Sequence, residues 1–464
     1  MRHPLFFTIL LLTAQALRSQ SPDTPLTLSQ ALRIAVTNYP KIKAAENIVG
    51  ASALEMNAAK QDGLPDLTVG IQTAYGTLDG SNGLSNGMPG LTSITGGQTN
   101  PTQNWQAAFG AMYLANIDWN LFSFGLQRAH VAAALGQYDQ DKRSLEQQIF
   151  QQQVKVAGAY LSLLAAVHVR MAMESNLTRT LQLRDVILAR TINGLNPGVD
   201  SSIANAEVSK ARLSLIDARN FEQIQANRLS TQMGIRPQSF TVDTAASQTL
   251  PKDLLTSPGP DLSTNPSLRF LASQVYTSNL FADYIRKEGL PRFLLFAAGQ
   301  DRGSGFGNNY ATNPADFTTS PLRGIEPYRA NYLIGVGVIW DITSLGPTRT
   351  RAAAQQQRSA AFANEYQLEQ NNLINQLALS DQQIRNALEK YRETPVQLQA
   401  ATDAYAQKTA LYANGLTNIV DVSQTLYLLN RAEIDRDIAC NAIWQALLFK
   451  AGTLGDLTPF LQQF

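Results

Sequence analysis

An internal duplication constrains the fold of this chain more strongly than any other feature. Gly63-Leu64-Pro65 recurs as Gly289-Leu290-Pro291, 226 positions later. Asn193-Gly194-Leu195 recurs as Asn414-Gly415-Leu416, 221 positions later. The order is kept and the spacing changes by only five residues, which one loop can absorb. We therefore predict two halves with the same arrangement of secondary structure.

The duplication also sets the expected domain boundaries. We predict a first structural repeat at 21–241, and a linker with the second repeat at 242–464. Residues 1–20 read as a signal peptide, because the apolar run Leu5–Leu12 follows a short basic start. That run is too short to cross a membrane, and no later segment is expected to reach spanning length without polar interruption.

Charge and composition exclude several classes of function. The 464 residues carry 37 Lys and Arg against 36 Asp and Glu, a net charge of +1, so no nucleic-acid partner is expected. The single cysteine and three scattered histidines offer no metal site. No phosphate-binding loop or nucleophile elbow is present, so we expect neither a cofactor nor an enzyme.

Four segments are predicted to be β-strands, two in each half. Three of them alternate apolar and polar residues with period two: 66–76, 106–121 and 332–342. The fourth, at 292–300, is ambiguous because apolar residues occupy both faces. Polar loops at 77–104 and 301–331 are expected between the paired strands.

The alternation fits either a soluble sheet over a core or a membrane β-barrel. Strands of about ten residues suit a tilted membrane span. Aromatic residues near the strand ends are expected to lie at the barrel interface, namely Tyr75, Trp105, Trp119 and Trp340. Four strands cannot close a membrane barrel alone, so two chains would contribute eight strands and three would contribute twelve.

The helical segments are too long for a globular core. Gly125 to Gly194 and Gly346 to Gly415 each span 69 positions, or about 100 Å of helix. Such lengths suggest long helical hairpins of coiled-coil type. The second stretch carries a narrow apolar seam through Phe362, Tyr366, Leu373, Leu377, Ile384, Leu388 and Tyr391. Pro395 is expected to kink or interrupt it.

Each long helix is expected to end in a matched turn at its glycine. Asp200 and Asp421 lie six residues after Gly194 and Gly415, near the start of the returning helix. A favourable carboxylate charge at a helix N-terminus would be a sufficient explanation for both aspartates.

The duplicated order of helix, two strands and long helical hairpin resembles the TolC family of outer-membrane efflux proteins. The resemblance spans 26–454, and its most specific parts are the paired turns and the paired Trp-containing junctions. It implies a mainly α protomer and a homotrimer, with a 12-stranded barrel in the outer membrane of a Gram-negative bacterium. A periplasmic α-helical barrel would continue from it.

The family resemblance also implies a function and partners. The trimer would be the passive exit duct of a tripartite efflux or type I secretion system. Its tips would dock on a periplasmic adaptor, the membrane fusion protein, coupled to an inner-membrane RND, ABC or MFS transporter. Outer-membrane lipid would surround the barrel.

The same resemblance assigns roles to residues of the turns. Asp421, Asp200 and Tyr412 would constrict the periplasmic aperture, and a trimer would hold three copies of Asp421 as a carboxylate ring. Adaptor contacts would fall on Gly194, Leu195, Gly415 and Leu416. The sequence departs from the family pattern at Thr417, where an arginine can occur, and at Gln424, where a second acidic residue can occur.

Two alternatives from other classes remain at this level. A soluble periplasmic coiled-coil scaffold would account for the helices and the signal peptide, and so would an adaptor protein. The scaffold would not explain two symmetric pairs of strands. An adaptor usually has one helical hairpin flanked by split β-domains rather than a duplicated hairpin.

Overall fold

The structure is a computed structural model that describes residues 25–79, 102–244, 250–251 and 262–464. The predicted signal peptide at 1–20 lies outside the described residues. So do most of the first predicted polar loop and part of the predicted linker.

Long helices and four strands make up the described chain, in an order that repeats. The elements are α1 Leu28–Asn38, α2 Pro40–Gln61, β1 Asp66–Thr77, β2 Ala107–Phe122, α3 Leu126–Ile192, α4 Gly198–Met233, α5 Pro266–Glu288, β3 Arg292–Ser304, α6 Pro321–Ile325, β4 Arg329–Ile339, α7 Leu345–Ala413, α8 Ile419–Leu454 and α9 Thr458–Leu461.

The two halves match closely in element order and length. The long helices α3 and α7 contain 67 and 69 residues, and the returning helices α4 and α8 contain 36 each. The predicted duplicated plan of two strands and a long helical hairpin is therefore confirmed. The repeat boundaries at 241 and 242 stay a prediction.

Two compact units cut across the repeats. The first consists of the chain up to Glu46 with Leu145–Arg269 and Leu368–Phe464. The second consists of Asn47–Ser144 and Phe270–Gln367. Each unit thus takes corresponding pieces from both halves of the sequence, so neither half packs as a domain by itself.

The second unit contains a single four-stranded sheet. The strand order is β1-β2-β3-β4 and each neighbouring pair is antiparallel. All four predicted strands are present, including the ambiguous one at Arg292–Ser304. The fourth strand begins three residues before the predicted segment and ends three residues earlier, at Ile339.

The register places apolar side chains in rows across one face of the sheet. In one such row Leu67 pairs with Ile117, Ile117 with Ala297, and Ala297 with Ile334. Leu67 and Ile334 are 63% and 68% exposed. The face is thus both apolar and uncovered in a single chain. The opposite face carries more polar side chains, as in the row of Gln72, Met112, Arg302 and Arg329, where three of the four are polar or charged.

The first unit is built on a helical core. Its main cluster joins α1, α3, α4 and α8, and its largest buried side chains include Tyr160, Leu161, Leu229 and Trp444. Among the described residues, α3 alone is long and apolar enough to cross a membrane by length and composition, and 61% of the relevant stretch is buried. The prediction that no such segment exists was wrong by that criterion, because a core helix is as apolar as a membrane span.

The predicted seam of α7 is confirmed. Its seven residues are all buried or half-buried, and the stripe continues to the end of the helix in alternating steps of four and three. The later stripe positions are Thr394, Leu398, Ala401, Tyr405, Lys408 and Tyr412. A mean spacing of 3.5 is the coiled-coil period.

Pro395 was predicted to kink or interrupt α7. The interruption was wrong, since α7 is continuous from Leu345 to Ala413, while the kink stays a prediction. A helix interior usually rejects proline because it lacks an N–H to donate to the carbonyl four residues earlier. Here the Thr394 hydroxyl donates to that carbonyl, the Tyr391 oxygen, at 2.8 Å. The side-chain donor replaces the missing backbone donor and leaves Pro395 on the exposed side of the helix.

Candidate functional site

Both long helices of the repeats end in the same type of turn. Gly194 and Gly415 have φ angles of 71° and 74°, a left-handed conformation that favours glycine. The next amide in each turn, of Leu195 or Leu416, donates to a carbonyl five residues earlier at 2.9 Å. This is the Schellman arrangement, which satisfies carbonyls at a helix C-terminus.

The two turns present apolar side chains to solvent. Leu195 is 68% exposed and Leu416 is 73% exposed. Val199 and Val420, also 221 positions apart, are exposed beside them and were missed by the sequence analysis. The duplicated offset would have revealed this second pair. The two turns together therefore expose four large apolar side chains.

Asp200 and Tyr412, predicted from different halves of the sequence, are brought together. The Tyr412 hydroxyl donates to Asp200 Oδ2 at 3.2 Å, and Asn196 Nδ2 donates to the same oxygen at 2.9 Å. Burial, and then the nearby charge of Asp200, raise the pKa of Tyr412 to about 12. The tyrosine therefore remains a neutral hydrogen-bond donor at physiological pH.

Arg190 extends this network from the first repeat to the second. Its Nε donates to Asn196 Oδ1 at 3.0 Å, and its guanidinium donates to the Ala413 carbonyl at 2.7 Å. Sequence reasoning missed Arg190, since nothing in its spacing distinguishes it from other helix-terminal arginines.

A small apolar cluster packs next to this hydrogen-bond network and shares Tyr412 with it. It contains Ile187, Ala204, Tyr412, Ile419 and Val422, all buried. Tyr412 belongs to both the apolar cluster and the hydrogen-bond network, because its ring packs in the cluster while its hydroxyl donates to Asp200. The cluster fixes the ring and thereby the direction of the hydroxyl.

Asp421 lies in a separate network within the second turn. Lys408 Nζ donates to its Oδ2 at 2.8 Å, and the Thr417 hydroxyl donates to the same oxygen at 2.7 Å. Hydrogen bonds from Lys408 and then Thr417 hold the pKa of Asp421 below its ordinary value. The structure thus gives Asp421 a cationic partner that the sequence analysis did not identify.

Two of the predicted barrel-interface aromatics fix matching junctions between helix and strand. Trp119 Nε1 donates to the Gly63 carbonyl at 3.0 Å, and Trp340 Nε1 donates to the Gly289 carbonyl at 3.1 Å. The two glycines are the first residues of the repeated Gly-Leu-Pro turns. Both duplicated landmarks therefore meet in space, once in each repeat.

The other two predicted aromatics lie at the opposite end of the strands. Tyr75 lies near the end of β1, and its ring contacts that of Phe109 in a tilted arrangement with a 4.7 Å centroid distance. Trp105 precedes β2. Both are exposed, Trp105 by 79%. Aromatic side chains thus flank the apolar face of the sheet at both ends.

Nothing within the described ranges offers a metal site, since no group of three or more His, Cys, Asp or Glu side chains lies close enough to hold an ion. The arrangement at the turns instead consists of hydrogen bonds and ion pairs between helix ends. Such an arrangement can fix or release a conformation without chemical reaction.

The sequence model of the family described as Outer membrane efflux protein matches residues 31–235. No curated protein matches the chain.

Several solved structures share the fold across most of the chain. The match to CusC, whose structure is described in terms of folding and transmembrane channel formation, covers 92% of this chain and 92% of CusC. The TM-score is 0.74 and the sequence identity is 13%. The outer membrane protein VceC of Vibrio cholerae covers 92% of this chain and 96% of its own, with a TM-score of 0.68 at 16% identity. The CmeC outer membrane channel of Campylobacter jejuni covers 92% and 85%, with a TM-score of 0.71 at 12% identity.

These findings agree with the architecture derived above. The family match lies in the first repeat, the second repeat reproduces its elements in the same order, and the fold likeness extends over both. The first repeat thus resembles the outer membrane efflux protein family, and the whole chain shares the fold of solved outer-membrane channels.

Proposed function

We propose that this protein is the passive exit duct of a tripartite efflux or type I secretion system, located in the outer membrane and extending into the periplasm. The observation that carries the proposal is the sheet, whose apolar face is exposed. Its outer strands β1 and β4 each pair on one side only within the described residues. A duct supplies a path and requires no reacting group, in keeping with a family and fold of channels.

The sheet has the dimensions of a membrane-spanning segment. The exposed apolar side chains of β1 run from Leu67 to Tyr75, and those of β4 and the residue after it run from Tyr332 to Trp340. Each stretch covers nine residues, and a tilted transmembrane strand needs about nine to eleven. Exposed rows of this kind are stable in lipid and costly in water.

Closure of the sheet calls for further copies of the chain. A lipid-exposed sheet edge leaves backbone groups without hydrogen bonds, so a spanning sheet must close on itself. Three copies of a four-stranded sheet would give twelve strands, within the range of bacterial outer-membrane barrels. We infer a homotrimer surrounded by outer-membrane lipid.

The soluble alternatives account for less of the structure. A periplasmic coiled-coil scaffold or an adaptor would use the helical hairpins but leave the apolar sheet face in water. The fold likeness to channels extends over 92% of the chain, which favours the duct.

Extraction from the outer membrane in mild detergent, followed by mass measurement with light scattering, tests this proposal. We expect about three chains per particle. A correctly processed and folded protein that is soluble and monomeric or dimeric would contradict both the barrel and the duct.

We further propose that the two turns form the periplasmic mouth and its docking surface. Asp421, Asp200 and Tyr412 would lie at the aperture, while Gly194, Leu195, Gly415 and Leu416 would contact a periplasmic adaptor. The partner beyond the adaptor would be an inner-membrane RND, ABC or MFS transporter. The support is the exposed leucine and valine pairs, which are costly in water unless a partner covers them.

A charged substitution on the docking surface should block export while leaving assembly intact. We expect Leu416→Arg to reduce export at least tenfold, because a guanidinium would be desolvated in an apolar contact. Export from cells that carry the cognate adaptor and pump is the measurement. Leu213→Arg is the matched control, because Leu213 is also an exposed leucine but lies on α4, away from the turns. Parental export by Leu416→Arg, with normal trimers, would contradict the proposed contact.

A further inference from the structure

Lys408 lies on the buried stripe of α7, where the other side chains are uncharged. The stripe from Leu373 to Tyr412 advances by steps of four and three, and Lys408 is its only charged member. It lies one turn before Tyr412 and is half-buried. A cation on this stripe is costly unless a specific partner compensates it.

That partner is Asp421, across the turn at Gly415. The Lys408 Nζ to Asp421 Oδ2 distance is 2.8 Å, and the side chains are 38% and 37% exposed. Short charge-assisted hydrogen bonds of this kind are stronger than neutral ones. The pair therefore joins the last turns of α7 to the first turn of α8.

Comparison of the two repeats shows that only the second turn has a lysine at the position of Lys408. Thr417 and Asn196 correspond at an offset of 221, and each donates to the aspartate four residues later. At the same offset the counterpart of Lys408 is Ile187, a fully buried residue of the apolar cluster. The second partner of Asp200 is then the neutral hydroxyl of Tyr412 rather than a cation.

We propose that Lys408 sets the ion selectivity of the periplasmic aperture by compensating the charge of Asp421. The inference rests on the proposed function, since it takes the turns to line the mouth of a duct. A trimer would then present three Lys–Asp pairs in place of three bare carboxylates. Such a ring discriminates weakly between cations and anions, whereas an uncompensated acidic ring selects cations.

The test is the reversal potential of purified trimers in planar bilayers under a KCl gradient. Lys408→Gln should raise the ratio of cation to anion permeability at least threefold, because the trimer loses three positive charges and a single one, about 7 Å from the ion path in water, is worth about RT. Asp421→Asn should lower it by a similar factor. Lys408→Arg keeps the charge and should match the parent.

Thr417→Val is the matched structural control. It removes the other hydrogen bond to Asp421 without changing any charge, and it should leave the permeability ratio unchanged. An unchanged ratio in Lys408→Gln trimers would overturn the proposal. An equal shift in Thr417→Val would also overturn it, because geometry rather than charge would then be responsible. If Lys408→Gln does not assemble, Asp421→Asn decides, and the absence of a shift toward anions overturns the proposal.

The failure of the proposed function is distinguishable from these outcomes. Each measurement is repeated in a Tyr412→Phe background, in which the resting aperture should be looser. Trimers that conduct in neither background would contradict the duct itself, and selectivity at the mouth with it. Conducting trimers with no response to Lys408 would contradict only the role of Lys408.

Discussion

At the scale of single residues, equivalent positions of the duplicated turns have acquired different partners. Asp200 accepts hydrogen bonds from Asn196 and Tyr412, while Asp421 accepts them from Thr417 and Lys408. Helix-terminal position alone explains why a carboxylate is favourable at both sites. It does not explain the partners, which come from the helices packed alongside.

Loss of the Tyr412 hydroxyl should loosen the turns. Tyr412→Phe leaves Asp200 and Asn196 with fewer partners, and we expect a cost of about 1–2 kcal/mol in the local free energy of unfolding. Faster hydrogen exchange in the peptides around both turns is the measurement. Tyr427→Phe, at an exposed tyrosine of α8, is the control. Equal protection of the parent and Tyr412→Phe would show that the hydroxyl network contributes little.

The same residue predicts a dependence on alkaline pH. The folded turn keeps the Tyr412 proton up to about pH 12, whereas the unfolded chain loses it near pH 10. The stabilisation by the phenol is therefore complete below about pH 10 and is lost as the pH rises to about 12. Melting curves of the parent and Tyr412→Phe should converge over that range. A constant difference would contradict the raised pKa.

At the scale of elements, α7 shows how a local rule can be overruled by a neighbouring side chain. Pro395 alone predicts a break, yet the helix is continuous because Thr394 donates to the carbonyl that proline leaves free. Thr394 also occupies the buried stripe, so its hydroxyl is held against the helix rather than in water.

The Thr394 hydroxyl should matter only while Pro395 is present. Thr394→Val leaves the Tyr391 carbonyl without this donor and should destabilise the helix by about 1–2 kcal/mol. Pro395→Ala restores a backbone donor, so the double variant should lose less than Thr394→Val does. Thermal unfolding followed by helical circular dichroism measures both effects. Simple additivity of the two substitutions would contradict the compensation.

At the scale of the whole molecule, each compact unit combines corresponding pieces of both repeats. Two β-hairpins, far apart in sequence, form one sheet because β2 pairs with β3. Their apolar faces then coincide and form one exposed surface across four strands.

The two faces of the sheet should respond differently to the same charge. Ile334→Arg places a guanidinium on the apolar face, where a mid-membrane arginine costs about 2–4 kcal/mol. Asn331→Arg places it on the opposite face of the same strand, where it should be tolerated. The yield of heat-resistant trimers in outer-membrane fractions is the measurement. Equal yields from both variants would contradict the assignment of the lipid face.

Much of the fold could be predicted because its signals are local and repeated. Period-two alternation identified the strands, and the two Gly-Leu turns located the ends of the long helices. The errors arose where distant or neighbouring side chains decide the outcome. The ambiguous strand at 292–300 became clear only through its pairing on both sides, and the apolar stretch of α3 only through its burial.

The sequence by itself determined the duplication, three of the four strands, the helical hairpins and the turns, since each depends on residue periodicity or on backbone preferences within a few positions. Tertiary structure alone decided which side chains meet. It joined Tyr412 to Asp200 from opposite halves of the chain and placed Lys408 against Asp421. Contacts between helices depend on how their stripes are rotated toward each other, and that rotation is set by packing throughout the unit rather than by any short segment.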